Sequence, residues 1–371
     1  MNTVSPLEGV KLLAPTLLEG VARSRMTSML DDQDEINRQL AGEVLIPHAQ
    51  RLGAVILNDR NGHFNPALLD DPDTFTLFSS QDSVEASDRA IRSGVFDDGL
   101  TRPGAIHIED CADNDFLRRP YVFSAVHLQG GTGKYLIESV RQARRVRQAY
   151  RDGKLGDEEC ELREFISTPS DRYTSYRVVL GPTGEALAAG LIYSGHTKAF
   201  WRPKRIQTQA RPSLGRTLAS FEDRRRVCAA FEYPDSPYFL DAKDVRSNMA
   251  QGGDCIPLMG DNRRPISDIE RRILRAHDID PDRPALPEGI WRQLPTVSRA
   301  IGKGCGLGAG ADFVQHATDG RYPLLEVNHG IELGTYRACW SGGDRSEKDY
   351  QSNIALGMRM FDAIAKTRQH A

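Results

Sequence analysis

A mixed α/β (α+β) fold assembled from several short sheets is predicted by three features of the 371-residue chain. A strand–helix–strand pattern opens it. Two antiparallel hairpins mark its second half, and Gly and Pro interrupt it at the short intervals that α/β connections need. A chain of this length can hold two or three fused subdomains around a large core.

Val10–Leu13 and Ala54–Leu57 read as short buried strands. Between them, Asp31–Leu52 carries Ile36, Leu40, Val44, Leu45, Ala49 and Leu52 mostly three or four apart, the period of a helix. Pro47 falls inside that pattern and is expected to kink or split it. A small N-terminal α/β unit ending near Phe78 follows from this opening, and Ser83–Arg92 reads as a short polar helix. Ala105–Glu109 and Tyr121–His127 read as strands, followed by a glycine-rich turn and a strongly basic helix over Ser139–Tyr150. Cys160–Ile166 is a further extended segment. Ser175–Leu180 and Ala186–Tyr193, joined by Gly181-Pro182-Thr183-Gly184, form a hairpin. Gly195 to about Asp244 is long, basic and irregular. Helices are expected over Ile269–Ala276 and Ile290–Gly302. A second hairpin pairs Ala311–Gln315 with Tyr322–Val327, and an amphipathic helix over Ser352–Thr367 closes the chain.

Composition narrows the functional classes. The chain is 39% hydrophobic and 27% charged, as in an ordinary globular protein, and its net charge of −3 does not point to nucleic acid. Apolar runs such as Ala186–Tyr193 are too short to span a bilayer. Met1–Val10 lacks the basic-then-apolar pattern of a signal peptide, so a cytoplasmic location is expected. The six cysteines are scattered without a CxxC or CxxH pair, which argues against a zinc site and a disulfide framework.

Four segments carry candidate chemistry. In GADFVQHATDGRYPLLEVN, Glu326 and Asn328 are two apart on one strand and share a face, and Asp312 lies across the hairpin. Three hard oxygen donors suit Mg²⁺, which completes its shell with phosphate and water; an ordinary amphipathic hairpin has the same pattern. In LQGGTGKYLIES, Gly130, Gly131 and Gly133 allow backbone N–H groups close to phosphate, with Lys134 adding charge; a tight turn between two strands uses glycines equally. Neither a Walker loop nor a GxGxxG fingerprint is present. REFI at Arg163–Ile166 precedes a strand bearing Arg177, an arginine able to stabilise a phosphoryl oxygen. In VRSNMAQGGD, Asn248 precedes the Gly252–Gly253 pair in a polar loop.

The order of these segments resembles the ATP-grasp superfamily: glycine-rich hairpin, REFI, arginine strand, RSNxxxGG, then DF…LEVN. The nearest branch holds the ribosomal-protein glutamate ligase and the D-alanine–D-alanine and glutathione ligases. The resemblance covers roughly residues 85–335, with long insertions. It implies two α+β subdomains clamping ATP behind a small N-terminal α/β domain, divided as 1–82, 83–165 (the lid subdomain) and 166–371, with a basic insert at about 195–245. Asp312, Glu326 and Asn328 would hold one or two Mg²⁺ ions, with Mn²⁺ as the alternative. Gly130–Lys134 would cover the β- and γ-phosphates. Glu164, Phe165 and Ile166 would line the adenine pocket through their backbone, and Asp171 would reach the ribose. Arg177 would touch the transferred phosphoryl group, and Asn248 would sit near the reaction centre.

There are two departures from the family pattern. The strand before the glycine turn, RRPYVFSAVHLQ, has no lysine, so His127 or Lys134 supplies the charge or the geometry is altered. NHG follows Glu326-Val327 where many relatives carry a proline, so His329 either faces the acceptor or caps the backbone. The implied activity is ADP-forming ligation: a small-molecule or peptide carboxylate is activated as an acyl phosphate and joined to an amine. A kinase acting on a hydroxyl and a degenerate nucleotide-binding protein are the alternatives. Between Lys198 and Arg226, nine Lys or Arg stand against Glu222 and Asp223. This insert reads either as a solvated loop or as a cover for an anionic substrate. Membrane partners are not expected, and a homodimer is one assembly the resemblance allows.

Overall fold

The computed structural model describes residues 5–15, 44–59, 66–77, 100–110, 119–125, 134–155, 160–200, 226–227, 229–243, 245, 253–259, 264–301, 306, 309–329 and 345–369. Among them are three sheets. The first is parallel, with strands β1 (Lys11–Pro15), β2 (Val55–Asp59) and β3 (Thr74–Thr76) in the order β2-β1-β3. Helix α1 (Ile46–Arg51) leads into β2 with Pro47 in its first turn, where the missing N–H breaks no helical bond. Residues 44–45 form a π-helical turn that runs directly into α1 just before Pro47. The expected helical stretch before residue 44, and the helix expected at 83–92, lie outside the described residues.

The second sheet has the order β4-β7-β5-β6, from β4 (Ala105–His107), β5 (Tyr121–Ala125), β6 (Lys134–Ile137) and β7 (Cys160–Glu164). Helix α2 (Val140–Arg151) starts where the Ser139 hydroxyl accepts the Gln142 amide. It packs Ala143, Val146 and Ala149 against Phe123, Tyr135, Ile137 and Phe231. Its arginines fall on the remaining faces, which is why the helix is both basic and firmly seated.

The third sheet is antiparallel, with the order β10-β9-β8-β11-β12. Its strands are β8 (Arg172–Leu180), β9 (Ala186–Thr197), β10 (Asp254–Met259), β11 (Ala309–Phe313) and β12 (Leu324–His329). Strand β10 was not anticipated, since Gly252-Gly253 and Pro257 disguise it. It is an edge strand among the described residues and its register shifts at Pro257, both settings in which a sheet tolerates proline. One face packs Tyr176, Val178, Leu191 and Phe313 against helices α3 (Asp268–Ala276), α4 (Glu288–Trp291) and α5 (Leu294–Ile301). The single helix expected over Ile290–Gly302 is two, parted at Arg292–Gln293, with Pro295 in the first turn of α5.

The other face presents Val179, Leu187 and Ala188 to a core shared with β1 and helix α6 (Arg345–Gln369). Gly357 allows that helix to close on Leu45, whose side chain lies 2.3 Å from where a Cβ would stand. Both faces of β8 and β9 are thus covered, which explains why their burial is nearly continuous rather than alternating. His277, the residue that ends α3, is buried between β8 and Gln315. Its Nδ1 lies 2.6 Å from Gln315 Oε1 and its Nε2 3.0 Å from Thr174 Oγ1. The amide oxygen only accepts, so Nδ1 carries the proton and Nε2 accepts from the threonine hydroxyl. Burial holds this imidazole down at about 4.

Candidate active site

A row of charged residues crosses three strands of the third sheet. Arg177 on β8 is the register partner of Asp312 on β11, and Asp312 is the partner of Glu326 on β12. Directly opposed residues of antiparallel strands project from the same face, so the three side chains lie side by side. The alternation that turns them outward from α3–α5 turns Tyr176, Ala311 and Val327 into the core behind.

Arg177 and Asp312 form a two-pronged ion pair, with Nε to Oδ1 at 2.7 Å and Nη2 to Oδ2 at 2.5 Å. Their side chains are only 11% and 6% exposed. Burial pushes the Asp312 carboxyl up, while the Arg177 guanidinium opposes the shift; Glu326 and Lys134 act on it as well. Glu326 is more open and is paired with Lys134. That lysine comes from β6, so the pair bridges the second and third sheets. Arg163 on β7 makes a second bridge, donating through Nη1 to the Leu325 carbonyl at 3.0 Å. Two carboxylates and two cations thus face one another where the two sheets meet.

Lys134 is the first residue of β6, paired opposite Ser124. Gly130, Gly131, Gly133, His127 and Asn248 lie outside the described residues, as do residues 201–225 of the basic insert. Asn328 stands on β12 opposite Gly310, and its side chain too lies outside the described residues. Glu164 ends β7 and pairs with Arg119 at 2.8 Å. The Glu164 and Phe165 amides already donate to the Gly104 and Pro120 carbonyls, and the Ile166 side chain is buried. Asp171 is exposed, with its carbonyl accepting the Lys198 amide.

Sequence reading missed a cationic pair beside this segment. Lys198 Nζ and Lys243 Nζ stand 5.9 and 5.8 Å from the centre of the Tyr173 ring, which also meets Phe165 edge-on. Lys198 donates to the Thr168 carbonyl and Lys243 to the Lys198 carbonyl, each at 2.5 Å. Burial lowers the Lys198 ammonium; Asp171 opposes that shift and Lys243 adds to it. The only sequence signal for this pair was that Lys198 opens the basic stretch. Arg163 was noted only as part of an extended segment.

No group of three or more His, Cys, Asp or Glu able to hold a metal gathers among the described residues. A Mg²⁺ ion bound with phosphate needs only one or two carboxylates from the protein. Asp312 and Glu326 on adjacent strands fit that need, with the Glu326 oxygens the more accessible. No helix among the described residues is long and apolar enough to cross a membrane.

No family model matches the chain, and no curated protein matches it. Solved structures similar to it include the D-alanine–D-alanine ligase from Bacillus anthracis, at 11% identity and TM-score 0.40, covering 97% of this chain and 99% of that one. D-cycloserine synthetase DcsG aligns at 12% identity and TM-score 0.41, over 96% of this chain and 100% of that one. The RimK domain protein ATP-grasp from Sphaerobacter thermophilus aligns at 12% identity and TM-score 0.36, over 95% and 98%. The chain is similar, over nearly its whole length, to solved ATP-grasp ligases.

Proposed function

We propose that this protein is an ADP-forming ligase of the ATP-grasp type, which activates a carboxylate as an acyl phosphate and joins it to an amine. The observation that carries the reading is the row Arg177–Asp312–Glu326 with Lys134 opposite it. It gathers paired carboxylates and cations where two sheets meet, the charge arrangement that a nucleotide triphosphate and its counter-ion require. The division at residues 82 and 165 is supported by the three sheets, one in each part.

Glu326, Asp312 and Asn328 would hold Mg²⁺, which when bound supplies charge neutralisation to the phosphates. Arg177 is held rigid by two hydrogen bonds, so it presents fixed positive charge without reorganising during the reaction. The Lys198–Lys243 pair stands beside the segment assigned to nucleotide binding and offers ammonium groups that the lysine-free strand before the glycine turn does not. Positioning and electrostatics supply most of the rate in such chemistry, so little acid–base chemistry is required. Closure of the two sheets over bound nucleotide would keep water from the mixed anhydride.

The test is incubation with MgATP, candidate acids and hydroxylamine. A trapped hydroxamate with release of ADP is expected. Phosphorylated product without hydroxamate would assign a kinase instead. MgATP binding without turnover of any acid or alcohol would assign a nucleotide-binding protein.

A further inference from the structure

We propose that Lys134 is a built-in counter-ion for Glu326 that a divalent cation must displace, so that metal entry and loosening of the second sheet from β12 are one event. The inference rests on the metal-site reading above and concerns what controls that site. Four groups form one electrostatic cluster, because Asp312 feels Arg177, Glu326 and Lys134 together. Two carboxylates and two cations sum to zero. A dication entering this neutral set gains little net attraction, and it meets an ammonium already on the Glu326 carboxylate. With Lys134 withdrawn, the set is negative and attracts it.

The geometry decides which cation leaves. Arg177 sits beside Asp312 on neighbouring strands of one sheet, grips both carboxylate oxygens and is nearly buried. Lys134 belongs to a different sheet and stands on its edge strand. Its side chain is 27% exposed and reaches Glu326 on a flexible four-carbon stem. Lysine is therefore the exchangeable partner. The Arg163 bridge ends on a backbone carbonyl, which a cation at Glu326 does not contest. Exchange would break the Lys134–Glu326 contact and keep the Arg163 one.

Calorimetric titration of Mg²⁺ into the nucleotide-free full chain tests this. Lys134→Met should bind Mg²⁺ at least roughly tenfold more tightly than the unaltered protein, since the competing charge is gone. Lys134→Arg should keep the weaker binding, and Glu326→Gln should abolish binding. Independently of any variant, labelling of Lys134 by an amine-reactive reagent, read by mass spectrometry, should accelerate when Mg²⁺ is added. Equal or weaker Mg²⁺ binding by Lys134→Met, or labelling that ignores saturating Mg²⁺, would overturn the proposal. If Mg²⁺ binds the unaltered protein through Glu326 but Lys134→Met gains nothing, the counter-ion role alone falls. If Mg²⁺ binds none of these proteins even with ATP, the metal site falls and the counter-ion role with it.

Discussion

Removing Arg177 should destabilise the protein strongly, and removing its partner as well should restore most of the loss without restoring chemistry. The pair has two short hydrogen bonds and side chains 11% and 6% exposed, so solvent screens it little. Arg177→Met leaves Asp312 with its charge uncompensated in a buried place, which should cost about 3–5 kcal/mol. Asp312→Leu leaves the guanidinium in the same position, with a similar loss. In the double variant both charges are gone and apolar side chains fill the row, so stability should return to within about 2 kcal/mol of the unaltered protein. The two losses are thus strongly non-additive, as expected of residues in contact. Urea unfolding of the four proteins measures the cycle, and hydroxamate formation with MgATP measures function. The double variant should be folded and inactive. Additive losses would refute the coupled pair, and a folded double variant with full turnover would refute the assignment of this row to the reaction.

Acid should weaken the fold through His277. Its imidazole is held at about 4 against an ordinary 6.5, so between these values the unfolded chain binds the proton that the folded one refuses. Stability should be flat above about pH 6.5 and fall by about 3 kcal/mol toward pH 4; His277→Gln should remove that part of the slope in urea midpoints measured against pH. Gly184→Ala should cost about 1–3 kcal/mol. The turn holds φ at +95°, and a Cβ there would stand 2.5 Å from Ser298 Oγ; thermal unfolding would register the loss. Ser267 caps α3 and exchanges hydrogen bonds with Glu270, so Ser267→Ala should lower urea stability by about 1 kcal/mol.

The second hairpin was legible because alternation places polar and apolar residues on opposite faces. Glu326 and Asn328 could thus be set on one face from spacing and Asp312 across the hairpin from them, while the direct Asp312–Glu326 register came from the structure. Arg177 could be assigned to the strand before it for the same reason. The partners that complete the cluster were not legible. Lys134 and Glu326 are 192 residues apart, on strands of different sheets. Nothing local in either segment encodes that meeting. Likewise, Lys243 reaches the Lys198 carbonyl from 45 residues away. Strand β3 has only three residues, too few to show a period. The split between α4 and α5 was hidden because apolar residues continue at helical spacing across Arg292–Gln293 while the backbone does not.

Strand β8 has a consequence for engineering the termini. Arg177 pairs with Asp312 in the charged row, and Val179, two residues along on the same face of the strand, sits in the same core as Leu12 of the first strand and Phe361 of the last helix. Trimming either end of the chain would strip packing from the same face of the strand that carries Arg177. The two extremities act as a buttress for the charged row, so a shortened protein should lose its chemistry before it loses its fold.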